Sequence, residues 1–232
     1  YTYTELIDIT YYLNHYYFIS LFSFLMVLLP AHRFFSLDVK RNPDKRCTHI
    51  PVWIMWGVFA QIAILYVYAG LAKLNSAWLL EALPLKIWLP AHTYLPLIGG
   101  VFRYEWTAYV FSWFGMLFVT FIVLFLLWRP TRPWAYLTVI AFHMMTGLLF
   151  QIGMFPYVMM AITLVFFSPE WHARWMHWVS EKWGGTRLKT SEKCYAFPGS
   201  LEQILKPIML VYLAFHLLFP WRYLLYEGNL FW

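Results

Sequence analysis

Charge is scarce in this chain. Only 12% of its 232 residues are Asp, Glu, Lys or Arg, and 62% are hydrophobic. Soluble domains hold about a quarter charged and about half apolar residues, so the shortage indicates a multi-span membrane protein instead. Cysteine is nearly absent. Cys47 and Cys194 both fall in polar loops, without C-x-x-C or metal-ligand spacing, so they read as free thiols and no metal is expected. No H-E-x-x-H, glycine-rich phosphate loop or G-x-S-x-G occurs. Ordinary hydrolase and nucleotide chemistry therefore has no support. There is no internal repeat and no low-complexity tract. The start, Tyr1-Thr-Tyr-Thr4, has no Met, basic n-region or cleavage site. Residues 1–232 are thus expected to be a transmembrane domain from a longer chain, with an outer soluble domain not included.

Aromatic and apolar residues are plentiful, and they cluster. A bilayer-crossing helix needs about 20 apolar residues. Six segments approach that length: Tyr11–Leu29, Val52–Leu71, Thr107–Trp128, Trp134–Phe150, Met154–Phe167 and Ile204–Pro220. The fold expected is an all-α polytopic bundle of about six spans with interfacial helices. The fifth segment is short enough to be re-entrant. The net charge of +6 comes from loops between these segments, so no nucleic-acid partner is expected. Six spans put Arg33, Lys40, Arg41, Lys45, Arg46, Arg129, Arg132, Arg174, Lys182, Arg187, Lys189 and Lys193 on one side. Lys73, Lys86, Arg103 and Arg222 fall on the other, and Lys206 at a boundary. The richer side is expected to be cytoplasmic and the face of Lys73 periplasmic or lumenal. Between Ser76 and Glu105, Pro84, Pro90 and Pro96 break an apolar, Trp-rich stretch. It reads as short interfacial helices, either a lid over a cavity or an ordinary connector.

Ionisable groups at membrane depth cost roughly 2.5–3.5 kcal/mol each on insertion scales, and they usually face a cavity or a partner. Asp8 and His15 can share one helical face, with Tyr11 or Tyr12 between them and Asn14 adjacent. His143 and His216 lie toward the same side as Lys73. Each has a plain reading. A lysine at a helix end snorkels, a histidine pairs with a carbonyl between packed helices, and an aspartate suits a first turn. The alternative is a shared cavity. Ala69, Gly70 and Ala72 allow close packing just before Lys73. Desolvation there would lower the amine's pKa and make it a usable base, against the helix C-terminal dipole. His32, His49, His172 and His177 fall on the other side, the last two in a Trp-rich interfacial helix.

Several motifs then coincide. Tyr68-Ala-Gly-Leu-Ala-Lys73-Leu-Asn-Ser-Ala-Trp78 resembles the A-G-x-x-K-L-x-x-x-W motif of the vitamin K-dependent γ-glutamyl carboxylase family. Asp8-Ile-Thr10 with Asn14-His15 matches its D-x-T-x-x-x-N-H. Phe142-His143-Met and Leu149-Phe150-Gln-Ile-Gly153-Met-Phe155 resemble its F-H-x-M and L-F-x-I-G-M-F. Ser168-Pro-Glu-Trp171 matches its S-P-E-W. The similarity covers nearly the whole chain, in the same order. It is similar to the family's horizontally transferred transmembrane (HTTM) domain, in a bacterial form.

The resemblance implies a membrane-embedded lyase and epoxidase. Such an enzyme oxygenates vitamin K hydroquinone with O2 to the epoxide, and the strong base formed lets CO2 add to a peptide glutamate. It implies that Lys73 deprotonates the hydroquinone, that His15 and Asn14 orient or stabilise the oxygenated intermediate, and that His143 shares the cavity. Asp8, Tyr12, Tyr68, Trp78 and His216 would shape the quinone site. The partners implied are a glutamate-containing peptide and the lipid bilayer. The chain departs from animal members at Thr146, Gly147 and Leu148 and at His216, where they carry glutamine. Two further readings stay open. One is a quinone-dependent membrane oxidoreductase without carboxylation. The other is a non-enzymatic transport or structural protein.

Overall fold

The computed structural model describes residues 14–34, 36–47, 49–182, 196–197 and 199–221, with the side chains of Asn14 and Ser180 left aside. Asp8, Tyr12 and Cys194 lie outside the described residues. Those described form ten α-helices and no strand: α1 Asn14–Leu28, α2 Leu37–Arg41, α3 Val52–Leu71, α4 Ser76–Leu79, α5 Leu83–Trp88, α6 Glu105–Leu127, α7 Arg132–Leu149, α8 Phe155–Ile162, α9 Pro169–Lys182 and α10 Gly199–Leu218. The all-α expectation holds.

Three helices are long and apolar enough to cross a membrane: α3, α6 and the stretch Gly199–Trp221 containing α10. A fourth results if the bent pair His15–Leu28 and Ala31–Arg41, at 56°, is one span. The second expected span is found unchanged, and the third shifts by two residues at its start. The fourth becomes α7, long enough at 18 residues but carrying Arg132, Thr138, His143 and Thr146. The fifth is a short apolar helix, Phe155–Phe166. At about 1.5 Å per residue it falls well short of a roughly 30 Å hydrocarbon core. Its path tightens at Thr163, whose hydroxyl donates to the Met159 carbonyl at 2.8 Å, where the α-helix gives way to 3₁₀ turns. The sixth starts earlier than its hydropathy suggests. Glu202 in the first turn of α10 accepts from the Trp53 indole at 3.2 Å and pairs with Lys206 at 3.0 Å. Those contacts extend the helix past Pro207, which sits in its interior.

The chain forms two compact units. In the first, residues 14–61 and 167–221, α10 packs on α1 and on the start of α3. The Tyr212 hydroxyl donates to the Leu21 carbonyl at 3.1 Å. Met209 lies against Gly57, where an added Cβ would meet its sulfur at 3.0 Å. Ser168 opens α9 by accepting from the Trp171 amide at 3.3 Å, with Pro169 first in the helix. The S-P-E-W motif is therefore a helix start. Cys47 carries a free thiol.

In the second unit, residues 62–166, the end of α3 meets α6 at Gly70–Thr120 and Tyr66–Phe118, and α7 packs on α6 and α8. A buried cluster of Ala82, Leu85, Leu89, Phe102, Ala108 and Leu149 holds α5 and the following turns against α6 and the end of α7. Gly153, with φ 58°, makes the turn between α7 and α8. At Gly70 the backbones of α3 and α6 approach so closely that an added Cβ would lie 3.1 Å from the Thr120 Cα.

Gly70→Ala is expected to destabilise the protein by about 1–3 kcal/mol, because the backbone of α6 must move. Gly57→Ala meets only the flexible end of Met209 and is expected to be nearly neutral. Thermal unfolding of both variants in detergent checks the contrast.

Candidate functional site

Lys73 follows the last turn of α3, in the segment that turns into α4. Its Nζ donates to the Ala69 carbonyl at 2.7 Å, covering one of the acceptors that a helix C-terminus leaves unpaired. It also stands 5.2 Å from the centroid of the Trp78 ring, a cation–π geometry. The segment around it is tightly fixed. Asn75 caps α4 by accepting from the Trp78 amide at 2.8 Å, while its Nδ2 donates to the Ala72 carbonyl at 3.0 Å. The Trp78 indole donates to the Ser112 carbonyl on α6 at 3.1 Å, and the Ser112 hydroxyl donates back to the Trp78 carbonyl. The Trp113 indole donates to the Leu79 carbonyl at 3.1 Å. The motif thus supplies a close contact at Gly70, a cap at Asn75 and a clamp at Trp78. Lys73 is held among them.

The amine is half-buried, and among the described residues it has no carboxylate partner. Burial pushes its pKa down from the usual lysine range to about 8. The helix-end carbonyl favours the ammonium, but the loss of water around the charge outweighs it. Lys86 has the opposite surroundings. Its Nζ lies 2.6 Å from the Glu105 carboxylate and donates to the Tyr109 hydroxyl at 2.8 Å. The hydrogen bond to Glu105, then that to Tyr109, hold its pKa above the usual range. A shallow concavity of about 280 Å³ lies at this pair, lined by Leu85, Lys86, Leu89, Phe102 and Glu105 among others. Lys73 does not line it.

His143 lies buried in α7. Its Nε2 and the Tyr66 hydroxyl share a hydrogen bond of 2.9 Å, and the rings of Phe142 and Phe155 meet it edge-on at 5.3 and 6.4 Å. Tyr66 is absent from the residues that the sequence points to. It sits on α3, seven residues before Lys73. That spacing is the signal that could have found it. Tyr68 is half-buried on α3.

The remaining residues belong to the first unit. Asn14 and His15 open α1, with His15 half-buried. His216 lies near the end of α10. Its Nδ1 donates to the Tyr212 carbonyl at 2.7 Å, and its buried Nε2 has no hydrogen-bond partner among the described residues. A neutral ring donating through Nδ1 presents a lone pair at Nε2.

These features define an α-helical membrane protein with a partly desolvated lysine fixed at the end of a spanning helix. A family model described as the HTTM domain matches residues 1–171. The chain belongs to the HTTM-domain family, the domain found in vitamin K-dependent γ-glutamyl carboxylase and its bacterial homologues. Lys73, His143 and Trp171 fall within the matched stretch, and His216 lies beyond it. No solved structure matches the chain.

Tyr66→Phe leaves the buried His143 Nε2 without its partner. A loss of about 1–3 kcal/mol is expected, read as a lower unfolding temperature. Phe155→Leu, which keeps the hydrogen bond, is expected to cost less.

Proposed function

We propose that this chain is a membrane-embedded enzyme of the vitamin K-dependent carboxylase type, with Lys73 as the group that deprotonates the reduced quinone. The observation that carries this reading is the Lys73 amine itself. It is fixed against an indole face, apart from any described carboxylate, with its pKa lowered to about 8 by burial. At pH 7 about a tenth of such amines are free to accept a proton, against roughly one in 3,000 at an ordinary lysine pKa.

These surroundings fit a reduced naphthoquinone. The Trp78 ring offers an apolar, stackable face. The amine nearby can take a phenolic proton without first breaking an ion pair. When bound, the quinol supplies the reducing equivalents that turn O2 into one epoxide oxygen and one water, and with them the base strength a lysine lacks. Tyr66 fixes the orientation of His143, and the Asn75 and Trp78 contacts fix the segment that carries Lys73. Tyr68, in the same unit as Lys73, belongs to the proposed quinone site. The further co-substrates in this reading are CO2 and a glutamate-containing peptide. The face of Lys73 is periplasmic or lumenal, and the basic loops are cytoplasmic.

One observation favours a second reading. The 2.7 Å bond from Nζ to the Ala69 carbonyl is what a purely structural helix cap would make. Lys73→Arg separates the two. It keeps a cationic donor and the stacking on Trp78 but cannot give up its proton at working pH.

The test uses the protein in nanodiscs with reduced vitamin K, O2, labelled bicarbonate and a competent glutamate peptide. Epoxide and labelled peptide are both expected. Lys73→Arg is expected to slow epoxide formation by about 10²–10⁴-fold, with folding retained. Unchanged activity in that variant would leave Lys73 a cap only. Epoxide without label would point to a quinone oxidoreductase.

The pH profile carries a separate expectation. The free amine is the active form and its pKa is lowered to about 8. The rate should therefore rise about tenfold per pH unit below that value and level off above it. A rate that falls as pH rises would contradict the assignment.

A further inference from the structure

We propose that the connector between α3 and α6 is itself inserted into the lipid, with Leu83, Ile87 and Leu97 entering the acyl region. This goes beyond the quinone reading and does not depend on it. Both flanking helices are long and apolar enough to cross a membrane. The connector, residues 72–104, is thus tied at each end to the same membrane face.

Helix α5 has the wrong outer face for water. Leu85 and Leu89 are buried against α6. Leu83 and Ile87, four residues apart on the opposite face, are 48% and 65% exposed. The cation of α5, Lys86, does not point outward to solubilise that face. It is drawn back to Glu105 and Tyr109. A helix apolar on both sides, with its charge turned inward, fits a lipid surface rather than solvent.

The tip of the connector repeats the pattern. Leu97 has φ 72°, a conformation that leucine rarely adopts. The turn is held by the Ile98 amide donating to the Pro96 carbonyl and the Gly99 amide to the Leu95 carbonyl, both at 2.9 Å. It leaves the Leu97 side chain fully exposed. Trp88, Tyr94, Tyr104 and Trp106 are exposed around these leucines, and Trp and Tyr concentrate at membrane–water interfaces. The partner that suits four aromatic rims and three aliphatic tips is a bilayer.

The test labels single cysteines with an environment-sensitive fluorophore. Ile87→Cys, Leu97→Cys and Glu81→Cys are made with Cys47→Ser and Cys194→Ser, and the protein is reconstituted in phosphatidylcholine vesicles containing chain-nitroxide lipid. Phe121→Cys, exposed on the spanning helix α6, reports insertion. Labels at residues 87 and 97 are expected to be quenched by the nitroxide lipid about twofold or more above the label at residue 81, and to resist aqueous iodide. Iodide quenching at 87 and 97 equal to that at 81, with lipid quenching intact at 121, would overturn the proposal. Quenching by neither agent would also overturn it, because a protein surface would then cover this face.

Discussion

A helix that ends in or near lipid leaves its last carbonyls without donors, and no water is at hand to cover them. Meeting that demand organises the second unit. Lys73 donates to Ala69 at the end of α3. Arg132 reaches back to Leu126 and Leu127, and Thr131 to Phe125, at the end of α6. The Trp113 indole crosses from α6 to the Leu79 carbonyl that ends α4. Lys73, Arg132 and Trp113 are polar at one end and apolar along much of their length, which suits a membrane boundary. The turns that place the candidate site are built from these caps.

The same demand puts Lys73 where chemistry becomes possible. Covering the Ala69 carbonyl draws the amine inward beside an indole, and burial then weakens its hold on a proton. Thirteen residues further on, Lys86 meets a carboxylate and holds its proton more firmly. Two lysines on one connector thus acquire opposite tendencies from their neighbours. The cap and the lowered pKa are two consequences of one placement.

Much of the family motif is architecture. Gly70 permits the approach of α6, Asn75 caps α4, Trp78 clamps the turn, Gly153 makes a left-handed turn and Ser168 starts α9. Spans such as Val52–Leu71 were legible because hydropathy over twenty residues is a local property. The short apolar helix Phe155–Phe166 was legible in character and in length, but its tightening at Thr163, where a side chain bonds back to its own helix, was not. The early start of α10 was hidden for another reason: Glu202 is polar, and its partner Trp53 is 149 residues away.

Composition, apolar runs and the helical repeat were enough to establish an all-helical membrane protein and to single out Lys73 and His143. They could not supply the partners of those two residues. Tyr66 bonds His143 across 77 residues, and Ser112 holds Trp78 across 34. Apolar patterning reports only how a residue relates to its near neighbours along one helix. Desolvation and hydrogen bonding depend on which helices meet, and that is fixed only when the chain packs.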